Sequence, residues 1–121
     1  MIIDAMAQGS TLPRAIELYQ KSIALKEDYV WNHVNLGWLY RLSGRTDEAI
    51  RHFERAHVLD SRNALAAADL AVAYLDEGMA ERARDVYESF LQRLGKLPES
   101  LKFKTFEALL LAYQPVTTET R

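Results

Sequence analysis

A chain of 121 residues, 49% apolar and 26% charged, has the balance of an ordinary globular domain and is long enough to bury a core without a metal or a disulfide. Fifteen Lys and Arg against seventeen Asp and Glu, with no basic run, argue against a nucleic-acid partner, and the lack of cysteine excludes disulfides, thiolate zinc sites and thiol nucleophiles. No stretch approaches ~18 unbroken apolar residues, and the opening Met1 to Gln8 lacks a basic segment followed by an apolar one, so a cytoplasmic protein without membrane contact is expected.

Taken in chain order, apolar residues at steps of three and four predict helices over 2–8, 12–26, 29–43, 46–59, 63–77, 80–94 and 98–113. The first of these is short and has no aromatic residue. Asp28 is placed to accept from the free amides of the helix that follows it, and Thr46 to do the same ahead of Asp47 and Glu48. Gly44 and Gly78 each close an apolar helical pattern at the position where a left-handed residue is wanted. Pro98, followed by Glu99, suits the first turn of the last helix, and 115–121 reads as a flexible tail.

These elements repeat. Leu36, Gly37 and Tyr40 recur as Leu70, Ala71 and Tyr74 at an offset of 70 − 36 = 34. Ala49, Phe53 and Ala56 recur as Ala83, Tyr87 and Phe90 at the same offset, and one step back as Ala15, Tyr19 and Ser22. The two glycines are also 34 apart, so three units stand in register over 15–90. The Leu-Gly-x-x-Tyr and Ala-x-x-x-Phe-x-x-Ala patterns between Leu36 and Ala56 resemble the tetratricopeptide repeat family. The resemblance implies an all-α fold, a right-handed superhelix of antiparallel helix hairpins forming an α-solenoid with a C-terminal capping helix. One domain over 1–114 is expected, with about three repeats of which the first is degenerate. Ser61 stands where the family often has proline, and Phe90 where it has a small residue.

A solenoid of this kind curves, and its leading helices line a concave surface suited to an extended or helical ligand. On helix 29–43 the stripe opposite Leu36, Gly37 and Tyr40 is Trp31, Asn35, Trp38 and Leu42, with Val34 beside it. A second apolar face must be covered by neighbouring helices or offered to a partner. The matching stripe on helix 63–77 is Leu65, Asp69 and Val72, with Asp76 beyond. Arg41 on one wall and Asp69 and Asp76 on the other favour an amphipathic helix or short apolar strand with basic flanks, bound in the groove of a protein-interaction module. Chaperone-binding members of the resembled family grip a C-terminal carboxylate with Lys, Asn and Arg. Only Asn35 matches that set, and Leu65 and Asp69 stand where cations would, so that mode is rejected.

The last helix carries an apolar arc that includes Phe103, Phe106, Leu110 and Tyr113, wider than a cap should need. Another copy of the chain, further repeats, or the groove of its own array could cover it. Pairing into a homodimer is slightly favoured, giving a self-associating scaffold as the alternative function, and a regulatory fragment of a larger repeat protein as a third reading. His33, His52 and His57 lack the spacing of a helical metal pair, since 57 − 52 = 5. With no glycine-rich phosphate loop and no nucleophile paired with an orienting acid, neither catalysis nor a cofactor is expected.

Overall fold

The computed structural model describes residues 11–95 and 105–116. Among the described residues six helices follow one another: α1 (Thr11–Leu25), α2 (Val30–Leu42), α3 (Thr46–Leu59), α4 (Ala64–Asp76), α5 (Ala80–Leu94) and α6 (Phe106–Ala112). Among the described residues there is no strand, and no helix is long and apolar enough to cross a membrane. The expected helix at 2–8, with Pro98 and Phe103, lies outside the described residues.

Two helix starts differ from expectation. Tyr29, in extended backbone, precedes α2 and Asp28 caps nothing, because the helix begins one residue later than its carboxylate could serve. Thr46 is itself the first residue of α3, and Arg45 stands before it without a side-chain cap. Asp47 and Glu48 still place negative charge in that first turn, where the helix dipole favours it. The caps that do form are Asn63, whose side chain accepts from the Ala66 amide at 3.1 Å, and Thr105, which accepts from the Ala108 amide at 3.1 Å. Thr105 has φ −138° and ψ 159°, so the helix expected over 98–113 does not run through residue 105, and the described helix begins at Phe106.

Both hairpin turns close identically. Gly44 (φ 81°) and Gly78 (φ 74°) adopt the left-handed conformation that carries no Cβ penalty. The next residue's amide then bonds back to the tyrosine carbonyl: Arg45 to Tyr40 at 2.8 Å and Met79 to Tyr74 at 2.9 Å. The glycine amides bond to Arg41 and Leu75, at 3.1 Å and 3.0 Å, completing a Schellman arrangement that satisfies the last carbonyls of α2 and α4.

Packing follows the repeat, each helix lying against its neighbours in sequence and α2 also touching α4. Small residues at Ala49, Ala56, Ala66, Ala71 and Ala83 are fully buried and let backbones approach; Phe53, Tyr87 and Phe90 fill the space between them. Phe90, in a small residue's place, packs on Ala67 and Leu94 at the far end of α5. Successive units are also joined by a repeated polar contact. The Gln20 amide donates to the Tyr40 hydroxyl at 2.8 Å, and 34 residues on the Tyr74 hydroxyl donates to Glu54 at 2.5 Å. Burial and the Glu54 charge push the Tyr74 phenol up to about 12, so it keeps its proton and remains the donor.

Two of the histidines pack against each other. His33 is buried, with Nε2 2.7 Å from the Glu27 carbonyl and Nδ1 3.3 Å from His52 Nδ1. A carbonyl only accepts, so His33 Nε2 carries the proton of that contact. His52 in turn stacks between His33 and Tyr40, both ring centroids 5.5 Å away.

The tightest point is Gly37, where a Cβ would lie 2.6 Å from the Phe53 ring. Gly37→Ala gains up to ~1 kcal/mol in helix propensity but overpacks a buried aromatic, which costs about 1–3 kcal/mol. Urea unfolding should therefore show a net loss of up to about 2 kcal/mol, partly restored by adding Phe53→Leu. A variant more stable than the parent would mean that Phe53 can move aside.

Candidate functional site: the groove beneath the C-terminal segment

The groove is built by the two leading helices of complete hairpins and by the segment after α5. α2 contributes Trp38 and Arg41, α4 contributes Leu65, Ala68, Asp69 and Val72, and Leu109, Ala112, Tyr113 and Gln114 lie across them. They bound a cavity of about 510 Å³. The face is apolar because the 34-residue offset brings Trp38 and Val72 into matching positions on parallel elements.

Of the residues assigned to the groove from sequence, Trp38, Arg41, Leu65, Asp69 and Val72 line this one cavity. Trp31 and Leu42 are exposed on the same face of α2, and Asn35 is half-buried between them. Val34 is a correction: at 1% exposure it belongs to the core, because its side of α2 turns toward Ala56 of α3 and Ala66 of α4. Phe53 and Tyr87 reach the cavity floor from α3 and α5 without having been singled out for it, since their periodicity announces core packing and gives no hint that a cavity opens beside them.

The charges do not face each other across an open groove. Arg41 binds Asp76 with two nitrogens, Nε to Oδ2 at 2.5 Å and Nη2 to Oδ1 at 3.0 Å, with both side chains about nine-tenths buried. This bidentate pair recruits the C-terminal segment: Arg41 Nη2 also donates to the Gln114 carbonyl at 3.1 Å, and the Tyr113 hydroxyl donates to Asp76 Oδ1 at 2.6 Å. Burial and the Asp76 carboxylate push the Tyr113 phenol up to about 12, which keeps the donor intact. Neither Arg41 nor Asp76 is therefore a free charge for a ligand.

The same segment explains the wide apolar arc of the last helix. Phe106 is 1% exposed, with its ring 6.4 Å from Tyr87 and the Arg84 guanidinium 4.7 Å from its centroid. Leu109 is buried with it. Of the three covers considered for this arc, the chain's own array takes Phe106 and Leu109, so Phe106 is not a surface for another copy. Leu110 and Leu111, at 39% and 90% exposure, face outward, and Tyr113 faces the groove.

Asp69 is the exception to pairing. It is 9% exposed; the Trp38 indole N–H donates to it, yet its Oδ2 has no hydrogen-bond partner. Burial raises its pKa to about 7, against the opposing effects of the Trp38 hydrogen bond and the Arg41 charge. Arg41 from α2, Tyr87 from α5, Tyr113 from the C-terminal segment and Asp76 of α4 itself are the other ionisable groups around it.

A raised folded-state pKa means that the stability linked to this proton is present below the ordinary value of 3.8 and is lost as pH rises through about 7. Asp69→Asn should thus melt increasingly above the parent between about pH 4 and 7, with the gap levelling off beyond. Its upper bound is ~4 kcal/mol, at about 1.4 kcal/mol per pKa unit. A gap independent of pH would show that the carboxyl is ionised throughout. Separately, Tyr113→Phe should speed amide hydrogen exchange in α6 while leaving α2 to α5 protected, since it removes one of the polar ties of the segment.

Comparison with known families agrees with this architecture. A tetratricopeptide repeat model matches residues 40–96, and a second matches 18–51. No curated protein matches the chain. The two matches together run from α1 through α5, over the same hairpins, turns and 34-residue register described above, and the chain belongs to the tetratricopeptide repeat family.

Proposed function

We propose that this chain binds a segment of a partner protein, a short amphipathic helix or apolar strand, in the groove between α2 and α4, without catalysis. Tetratricopeptide repeats generally mediate protein–protein interaction and are generally not catalytic. The observation that carries the reading is the incompletely filled groove: a cavity of about 510 Å³ remains beside Leu109, and Trp31, Trp38, Leu42 and Leu65 stay about two-fifths exposed along it. Large rigid aromatics at the centre of a concave apolar surface are the usual anchors of protein recognition. Leu109 and Tyr113 already occupy one end of the groove in the manner of a ligand, with a leucine against the apolar floor and a hydrogen-bonding group at the rim.

The test is selection from a helical peptide library, followed by titration of the recovered peptides with tryptophan fluorescence as the reporter. Trp31→Ala or Trp38→Ala should each weaken binding by about 2 kcal/mol, roughly thirtyfold. Leu111→Glu, on the outer face of α6, should leave it unchanged. Peptides that bind with no sensitivity to Trp31, Trp38 or Leu65 would place recognition elsewhere.

A second reading, self-association, is favoured by the outward pair Leu110 and Leu111. Light scattering during size exclusion should then give a dimer for the parent and a folded monomer for Leu111→Glu. A parent that is monomeric at micromolar concentration rules this reading out.

A further inference from the structure

Within the groove reading, on which this step rests, we infer that the cavity floor at Asp69 is a subsite for a lysine side chain presented by the partner segment between apolar residues.

Around Asp69 the cavity is lined mostly by apolar groups, among them Trp38, Leu65, Val72 and Leu109, with Arg41, Tyr113 and Gln114 also in its lining. Arg41, whose charge acts on Asp69, spends its hydrogen bonds on Asp76 and the Gln114 carbonyl, so Asp69 has no ion pair of its own. A buried carboxylate with an oxygen that meets no donor is a costly arrangement, which an incoming donor would relieve. Oδ2 is closed to water in this state. Asp69 lines the cavity, however, and because the terminal torsion of aspartate is soft, a partial turn of the carboxylate can present Oδ2 to an incoming donor.

The shape of the site selects among donors. One carboxylate oxygen is engaged by Trp38, so the site offers a single acceptor rather than the parallel pair that a guanidinium fork prefers. Lysine fits: its compact ammonium needs one strong acceptor, and its four-carbon stem lies along apolar walls. A C-terminal carboxylate is repelled. The subsite also inverts the expected charge placement, putting the partner's cation at the centre of the contact instead of at its flanks.

The probes are a blocked amphipathic leucine–alanine peptide with one central lysine, and counterparts with norleucine, acetyl-lysine or arginine in its place, titrated into the full chain at pH 8 with Trp38 fluorescence and calorimetry. The lysine peptide should bind about tenfold or more tightly than the norleucine and acetyl-lysine forms, as expected for a hydrogen bond to a charged group. Asp69→Asn, which removes a buried charge and should stay folded, should erase that preference while keeping the norleucine affinity. Equal binding of all four peptides with a Trp38 response, or a preference that survives Asp69→Asn, overturns the lysine subsite and leaves the groove reading standing. Tighter binding of the arginine form likewise overturns it. No binding and no Trp38 response to any peptide removes both.

Discussion

The contact between Gly37 and the Phe53 ring sets the distance at which α2 and α3 lie, and much else follows from that distance. With a backbone in place of a side chain at residue 37, the phenyl ring is pressed flat into the hairpin, and Leu36 and Tyr40 on either side are drawn into the same core. Ala71 and Tyr87 hold the equivalent positions one repeat later, so α4 and α5 close in the same way. Because the two hairpins share one internal geometry, their leading helices run side by side and turn matching faces the same way. The groove is a by-product of that repetition: Trp38 and Leu65 stand on one surface because the hairpins behind them are equally tight.

What distinguishes this array is the use made of its inner surface by its own C-terminal segment. A seven-residue helix contributes little stability by itself, and α6 is held by the burial of Phe106 and Leu109 and by the polar ties of Arg41 and Asp76 to Tyr113 and Gln114. The ion pair that a reader of the sequence would assign to ligand recognition thus has an internal duty. The consequence is a groove whose rim is electrostatically settled and whose floor is not, which is the reverse of a surface that attracts partners through exposed charge.

The hairpins were legible in the residues, because periodicity, the 34-residue offset and the two glycines all bear on local geometry that neighbouring residues determine. Gly44 and Gly78 adopt the left-handed turn their positions require. Helix starts were less so. Asp28 has the right chemistry one residue too early, whereas Thr105, a good cap placed inside an apolar run, is disguised by the leucines that follow it. On the groove, periodicity identifies which face of α2 carries Trp31 and Trp38 but says nothing of what lies over it. Val34 shows the limit of such reasoning: it is only 4 residues from Trp38, one helical turn, and yet the approach of α3 and α4 buries it. The pairing of Arg41 with Asp76, 76 − 41 = 35 residues apart, depends on two helices from different units meeting, which no single window of sequence contains.

The tyrosine contacts between units carry one more implication. Gln20 meets Tyr40, and Glu54 meets Tyr74; continuing the same spacing brings Glu88 opposite residue 108, which is alanine. Glu88 instead shares Arg84 with Glu107 of α6. The half of the fastening supplied by α5 is therefore in place for another hairpin, while the half supplied by α6 is not. A designer wishing to lengthen this rod would need to replace α6 with a leading helix bearing tyrosine at that point, and would open the groove along its full length in doing so.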